Sequence, residues 1–189
     1  WDVAAANWMA TALVVAETYS DALLIDVGST TADVIPIAGG RVVATGRNDL
    51  ERLLAGELVY TGTLRTNLAA IAPQVPVRGA WCPVASELFA ISADVQLVLG
   101  HIGPEDYDCP TPDGRPATVE FARERIARLV CSDVEQLEAS EIDAIAAYLH
   151  GEQIAQIEAA ARRAPVPPAA PVVAAGSGAF MARAVAERL

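Results

Sequence analysis

Two apolar runs joined by a short hydroxyl-rich turn constrain the fold of this chain more than any other feature of its sequence. Residues 22–27, ALLIDV, and residues 32–38, ADVIPIA, have the length and composition of buried strands, and only GSTT separates them. The Gly39–Gly40 pair then predicts a hairpin into a third strand, RVVAT, at residues 41–45. This stretch therefore predicts a three-stranded β-meander.

Helical segments surround the meander in an order typical of an α/β protein. We expect helices over residues 7–19, 49–56, 86–100, 118–131 and 141–163, and a last strand and helix within residues 172–189. Ser86 is the expected N-cap of the third helix and Gly100 its end, while a break at Gly151 is left open. The proline-rich residues 164–171 predict a stiff linker.

Composition excludes several classes of function. The 189 residues are 53% hydrophobic, enough for one compact domain or one lobe of a larger protein, and no apolar run approaches a membrane span. We therefore expect a cytoplasmic protein without membrane contact. The net charge of -11, with no lysine, disfavours nucleic acid and excludes both a Walker-type phosphate lysine and a Schiff base.

The cysteines and histidines do not predict a metal site. The three cysteines are odd in number and widely spaced, which fits neither a zinc knuckle nor a disulfide framework, so we expect reduced thiols. The two histidines are isolated in the sequence and have no further ligand at useful spacing. The residues concerned are Cys82, Cys109, Cys131, His101 and His150.

The turn between the first two predicted strands carries groups suited to an anion. Asp26 lies near the end of the first strand, Gly28 lets the backbone approach a ligand closely, and Ser-Thr-Thr at residues 29–31 offers hydroxyl and amide donors. A phosphate group fits these donors. Because Asp26 would repel phosphate, we expect it to hold a magnesium ion or its water, with Asp33 as a supporting carboxylate. A plain hairpin turn explains the same residues.

A second small-residue turn lies near the end of the chain, in VVAAGSGAF. An apolar strand leads into Gly176, Ser177 and Gly178, and a helix is predicted to follow. The free amides and the dipole of a helix N-terminus favour an anion, so this turn is a candidate site for a phosphate or a nucleotide ribose. A tight structural connection is the alternative, and it is the commoner use of such a turn.

Together, the pattern D-x-G-S-T-T-x-D between two strands and the late strand ending in G-x-G resemble the second phosphate loop and the adenosine loop of the actin, Hsp70 and sugar-kinase superfamily. The likeness implies a lobe of the ribonuclease H-like fold with a phosphate-binding hairpin. Further blocks resemble the hydantoinase/oxoprolinase-like proteins of tetrahydromethanopterin-linked one-carbon metabolism, which are similar to a methanofuran-biosynthesis synthase. These blocks are ANWMATA, ELVYTGTLRTNLAAIA, SELFAISADVQLVLG and DYDCPTPDG.

The resemblance implies a transferase. In that family the phenolic oxygen of γ-glutamyltyramine attacks the methylene carbon of a furan diphosphate and pyrophosphate leaves, so the protein mainly holds diphosphate and metal and aims the nucleophile. The matching motif implies that Asp26, Gly28, Ser29, Thr30 and Thr31 bind diphosphate and magnesium. Two alternatives stay open: an ATP-dependent kinase or oxoprolinase-type hydrolase, and a non-catalytic binding or assembly subunit.

Four other residues are candidates for substrate contacts. Asn7 and Trp8 match the family blocks, and their structural alternatives are an N-cap and a core residue. Arg65, the only basic residue of YTGTLRTN, suits bidentate binding of phosphate, or else a structural salt bridge. Tyr60 is a candidate aromatic wall of the site, with core packing as its alternative.

Asp94 is the leading candidate for a general base that takes the phenolic proton. It lies within the apolar helix predicted over residues 86–100, where a buried carboxylate needs a partner, and Glu87 lies seven residues earlier on nearly the same face. Pairing with an arginine is the structural alternative for Asp94. Asp113, in TPDG, fits a loop that covers the substrate or a plain turn.

The superfamily's other phosphate loop, which the resemblance places on an opposite lobe, is missing from residues 1–189. The chain is therefore expected to be one C-terminal catalytic lobe of a two-lobed protein. Three explanations are open: the other lobe was removed, it comes from another chain, or the gene has been shortened. An apolar face left without that lobe favours association with a partner or a second copy.

Overall fold

The computed structural model of the chain describes residues 7–189, with side chains from Trp8 onward. Its helices are α1 (Asn7–Thr18), α2 (Asp49–Ala55), α3 (Ser92–Val98), α4 (Val119–Arg128), α5 (Ala139–Ala161) and α6 (Ala179–Ala186). Its strands are β1 (Ala22–Val27), β2 (Ala32–Ala38), β3 (Arg41–Val42), β4 (Leu58–Val59), β5 (Gln74–Val77), β6 (Ala80–Pro83) and β7 (Val172–Ala175). The predicted α/β class is confirmed. The described residues form two compact units: 7–61 with 154–189, and 62–153.

A mixed sheet forms the centre of the first unit. Its strands follow the order β3-β2-β1-β7, and β4 also pairs with β2. β1 and β2 are antiparallel from Ala22 opposite Ile37 to Val27 opposite Ala32, so the predicted hairpin around GSTT is confirmed. β3 is shorter than predicted and covers only Arg41–Val42. β7 lies parallel to β1 on its other side.

The two faces of this sheet are covered by different helices because successive strand residues point to opposite sides. Leu24 and Ile35 are fully buried and pack against α1. Leu23 and Ile25 point the other way and pack against α6 and the C-terminal part of α5. Burying each such side chain contributes about 1.5–3 kcal/mol, so the sheet is well anchored on both faces.

Most of the predicted helices lie where the sequence placed them. α2 begins where Asn48 accepts the Glu51 amide at 3.0 Å and ends at Gly56, whose left-handed φ of 74° stops the helix. α5 continues through Gly151 without a break, and residues 164–171 form no helix or strand. Within residues 7–189, no helix combines the length and the apolar composition needed to cross a membrane.

The helix predicted over residues 86–100 is wrong in its first half. α3 begins at Ser92, so Ser86 is not its N-cap. The reason is a contact with a distant segment: the Ser92 amide donates to the Thr66 carbonyl at 2.8 Å, and Ile91 before it has extended backbone. Tertiary pairing therefore overrides the local helical pattern.

The hairpin of β5 and β6 was missed by the sequence analysis. Its turn consists of Arg78 and Gly79, whose φ angles are 51° and 78°. Positive φ at both central residues is the geometry of a two-residue hairpin. Pro76 and Pro83 lie within the strands and made the strand pattern hard to recognise, because proline is rare inside sheets.

Gly176 and Gly28 differ in what an added methyl group would meet. At Gly176, where φ is 83°, it would overlap the Val27 carbonyl oxygen and the Asp26 carboxylate, whereas at Gly28 the nearest atom, the Thr31 carbonyl oxygen, lies at 3.5 Å. We expect Gly176→Ala to lower the free energy of unfolding by more than about 1 kcal/mol and Gly28→Ala to leave it nearly unchanged. Urea unfolding followed by circular dichroism measures both, and equal losses would contradict the prediction.

Candidate functional site

Parallel pairing of β1 and β7 brings both small-residue turns to one edge of the sheet. Asp26, near the end of β1, lies opposite Ala175, the last residue of β7. The Gly178 amide donates to the Val27 carbonyl oxygen at 2.8 Å and so ties the second turn to the first strand. Two motifs that are far apart in the sequence therefore share one candidate site.

The turn after β1 is half-buried and held by its own backbone. The Gly28 amide donates to the Thr31 carbonyl oxygen at 2.8 Å, so this amide is already used. The hydroxyl oxygens of Ser29 and Thr30 lie 3.5 Å apart. In the part of the chain that the structure describes, the amides of Ser29 and Thr30 have no backbone partner. These amides and hydroxyls are the donors that the turn offers to an anion.

The turn after β7 has a clear structural role. Gly176 adopts a conformation that side chains rarely tolerate, and it lies against the Asp26 carboxylate. The Gly178 amide is engaged by Val27, and the Ala179 amide donates to the Gly176 carbonyl oxygen at 3.2 Å. This arrangement favours the tight connection, and phosphate binding by Gly176, Ser177 and Gly178 stays a prediction. Ser177 is exposed at the tip of the turn.

Asp26 and Asp33 face each other across the hairpin. They are direct partners in the antiparallel register, so their Cβ atoms lie on one face about 4.5–5.5 Å apart. Asp33 forms an ion pair with Arg52, with 2.8 Å between Oδ1 and Nη2, whereas Asp26 has no ion pair with any residue in 7–189. Burial raises the pKa of both carboxyls, and the Arg52 guanidinium partly counteracts this rise at Asp33.

These oxygen donors fit a magnesium ion that is bound together with a phosphate. Magnesium in proteins is usually held by one or two carboxylates, substrate phosphates and water. Asp26 supplies a carboxylate that has no ion pair within residues 7–189, and the hydroxyl-bearing residues 29–31 follow it in the turn. Among residues 7–189 there is no cluster of three or more His, Cys, Asp or Glu side chains that could hold a metal. A site built there therefore needs the phosphate as a ligand.

Arg52 is the residue of this site that the sequence analysis missed. Its guanidinium carbon lies 4.1 Å from the centroid of the Trp8 ring, and Nη2 also donates to the Glu57 carbonyl oxygen at 3.0 Å. Trp8 is 7% exposed and packs in the cluster between α1 and the sheet. The covered ring favours the core alternative for Trp8 over stacking on a substrate.

Asp94 is enclosed by three partners in the second unit. Its Oδ1 accepts from Arg125 Nε at 2.8 Å and from the Tyr107 hydroxyl at 3.0 Å, while Oδ2 accepts from the Ile91 amide at 3.0 Å. The Asp94 and Arg125 side chains are 0% and 1% exposed. Burial raises the pKa of Asp94 and of Tyr107. The enclosure favours the structural alternative, an ion pair that caps α3, over a general base.

Asp113 belongs to the same network, and Glu87 does not. Asp113 accepts from Arg125 Nη1 at 3.1 Å and from Arg115 Nε at 2.7 Å, so its loop is attached to α4. Glu87 lies in the exposed segment before α3. The prediction that Glu87 and Asp94 share a helix face is therefore wrong, because the helix begins after Glu87.

The remaining candidates lie in different places. Arg65 is exposed in the second unit, and its guanidinium partly counteracts the rise that burial causes in the pKa of the Cys109 thiol. Tyr60 is 68% exposed, so core packing is excluded for it, and its contact with substrate stays a prediction. The side chain of Asn7 lies outside the described residues.

The two histidines, predicted to be isolated, contact each other. The ring centroids of His101 and His150 lie 4.5 Å apart with an angle of 44° between the planes. His101 Nδ1 is 2.9 Å from Gln96 Oε1, and Gln96 Nε2 donates to Gln153 Oε1 at 3.1 Å. Sequence spacing gave no signal for this contact because the residues are brought together by tertiary packing.

The His101 environment predicts a loss of stability in mild acid. Burial lowers the pKa of His101 below its ordinary value of 6.5, so the unfolded chain binds the proton more tightly. Stability should be constant above the unfolded pKa, decrease as the pH falls from it towards the folded pKa, and level off below. His101→Gln should reduce the difference between urea unfolding at about pH 7.5 and about pH 5.5. An unchanged difference in the variant would contradict this prediction.

Comparison with known families gives a match over the whole chain. The family model described as Hydantoinase/oxoprolinase matches residues 1–189. This agrees with the family resemblance drawn from the sequence blocks.

Two curated relatives carry the same name. The protein named (4-{4-[2-(gamma-L-glutamylamino)ethyl]phenoxymethyl}furan-2-yl)methanamine synthase from Methanocaldococcus jannaschii is 45% identical over 142 residues, which cover 75% of this chain and 43% of that protein. The one from Methanococcus vannielii is 44% identical over 119 residues, covering 63% of this chain and 53% of that protein. The matched part thus spans about half the length of these relatives.

Proposed function

Since this chain belongs to the hydantoinase/oxoprolinase family, we propose that it acts in condensing an aminomethylfuran methyl diphosphate with a γ-glutamyltyramine-type phenol, with release of pyrophosphate. The name of the two relatives describes a furan methanamine joined through a phenoxymethyl ether to a glutamylaminoethyl group. An identity of 44–45% to both relatives supports transfer of this activity, as one step of methanofuran biosynthesis.

The observation that carries the proposal is the sheet edge at which the two turns meet. Asp26 provides a carboxylate that has no arginine partner within residues 7–189, and residues 29–31 of the following turn provide hydroxyl and amide donors. This combination suits a diphosphate accompanied by a divalent cation. The turn at residues 176–178 lies at the same edge of the sheet, where the Gly178 amide donates to the Val27 carbonyl oxygen.

This reaction requires the protein mainly to bind the diphosphate and to orient the phenolic oxygen towards the methylene carbon. The phenolic oxygen attacks the methylene carbon, the bond from that carbon to the diphosphate oxygen breaks, and the phenolic proton is released. The furan ring can stabilise positive charge at the methylene carbon, so the barrier depends mainly on the leaving group and on orientation. A bound magnesium ion would neutralise charge on the diphosphate, and Asp26 is the residue that would hold it.

The finer fold assignment belongs to the same proposal. The antiparallel order β3-β2-β1, with β7 parallel to β1, supports a lobe of the ribonuclease H-like fold. In that arrangement the hairpin turn between β1 and β2 lies beside the end of the parallel strand, where a phosphate would bind. The small-molecule substrates and the cytoplasmic location remain parts of this proposal.

Asp26→Asn in the full protein that contains this chain tests the proposal. We expect the rate of pyrophosphate release from the furan diphosphate and γ-glutamyltyramine to fall at least about 100-fold, because a group that binds the charged leaving group is lost. The coupled ether is measured by mass spectrometry and pyrophosphate by an enzyme-linked assay. Glu17→Gln, which removes an exposed carboxylate from α1, is the matched control and should keep the rate.

Two results would contradict the proposal. One is retained turnover in Asp26→Asn. The other is consumption of ATP in proportion to substrate without the coupled ether, which would favour a kinase or hydrolase.

A further inference from the structure

Arg52 is held more firmly than an ion pair with Asp33 alone requires. The residue is 2% exposed, although it lies on α2, a helix with three exposed leucines. Its guanidinium is covered by the Trp8 ring at 4.1 Å, and Nη2 bonds both Asp33 Oδ1 at 2.8 Å and the Glu57 carbonyl oxygen at 3.0 Å. Arg52 is thus fixed against the sheet and cannot swing away from Asp33 without breaking several contacts.

Arg52 makes the carboxylates of Asp26 and Asp33 differ, although their positions on the hairpin are equivalent. Asp26 and Asp33 are direct cross-strand partners, so both point to the same face of the hairpin. Two unpaired carboxylates at this spacing would form a strong site for a hard divalent cation. Arg52 engages one of them, while Asp26 has no ion pair within residues 7–189.

We propose that Arg52 is a positioning residue that withholds Asp33 from a divalent cation, so that Asp26 is the single carboxylate this sheet edge offers. The inference rests on the proposed function in assigning the cation to the Asp26 edge. It deepens that function because a single carboxylate binds magnesium weakly. The cation then stays bound only when diphosphate oxygens complete its coordination, so metal and diphosphate bind together.

The buried donor Nε of Arg52 does not decide between a positioning role and a purely structural one. It is enclosed and has no hydrogen-bond partner in the described part of the chain. Nη2 of Arg125, in the structural pair with Asp94, is also buried without a hydrogen-bond partner among these residues, so an unpaired donor does not distinguish the two arginines. The inference therefore rests on the Arg52–Asp33 ion pair and on the position of Asp33 directly opposite Asp26.

Titration with Mn²⁺ distinguishes the contributions of Asp26 and Asp33 to cation binding. The full chain is titrated with Mn²⁺, followed by electron paramagnetic resonance, with and without pyrophosphate. Arg52→Met frees Asp33, and we expect Mn²⁺ to bind at least about ten-fold more tightly than in the wild type without pyrophosphate. Adding Asp26→Asn to this variant should abolish the gain.

The double variant Arg52→Met with Asp33→Asn keeps the net charge and removes the pair, and such replacements often preserve stability. We expect its Mn²⁺ affinity in the presence of pyrophosphate to stay within about two-fold of the wild type. A loss of ten-fold or more would show that Asp33 is a ligand and overturn the inference. Failure of Arg52→Met to bind Mn²⁺ more tightly, in a variant that circular dichroism shows to be folded, also overturns it. If Arg52→Met does not fold, the double variant decides.

These measurements use no furan substrate and do not depend on turnover. If the Mn²⁺ results are as expected while no coupled ether forms, the role of Arg52 stands and the proposed reaction fails. If the ether forms but Arg52→Met leaves Mn²⁺ affinity unchanged, the reaction stands and the role of Arg52 fails.

Discussion

The parallel pairing of β1 with β7 is the interaction on which the candidate site depends. It sets Asp26 opposite Ala175, and the two turns follow from there. A shift of one residue would turn every side chain of β7 to the other face of the sheet. The bond from the Gly178 amide to Val27 and the close fit of Gly176 against Asp26 both favour this register. Because these strands are far apart in the sequence, the site forms only when the whole first unit has assembled.

Two buried arginines form ion pairs with two of the candidate aspartates. Arg52 pairs with Asp33 in the first unit, and Arg125 pairs with Asp94 in the second. Arginine suits this role because its planar guanidinium bonds several acceptors and stacks on aromatic rings, as Arg52 does on Trp8. The chain has no lysine, so each of its buried cations is an arginine. Of Asp26, Asp33 and Asp94, only Asp26 has no arginine partner among the described residues.

The sequence predicted what depends on local pattern and missed what depends on distant contacts. The hairpin around GSTT, α2 with its end at Gly56 and the turn after β7 all have strong local signals, and they are confirmed. The first half of the helix over residues 86–100 failed because the Ser92 amide bonds to Thr66. Arg52 was missed for a related reason: an arginine among the leucines of α2 predicts a solvated side chain, yet here the leucines are exposed and the arginine is buried.

Buried polar atoms without a hydrogen-bond partner among the described residues occur in both units, so they do not by themselves mark the edge that carries the turns. At this edge Asp26 is partly desolvated and has no ion pair within residues 7–189, and Arg52 Nε is buried without a hydrogen-bond partner among the same residues. An apolar residue at either position would avoid these costs, since a well-packed core tolerates few unpaired polar groups. At Asp94 in the second unit both carboxylate oxygens are bonded, although Nη2 of its partner Arg125 makes no hydrogen bond with the described residues. The two places differ in the charge of the carboxylate: Asp94 pairs with Arg125, whereas Asp26 has no ion pair within residues 7–189, and for this reason the proposed cation is assigned to Asp26.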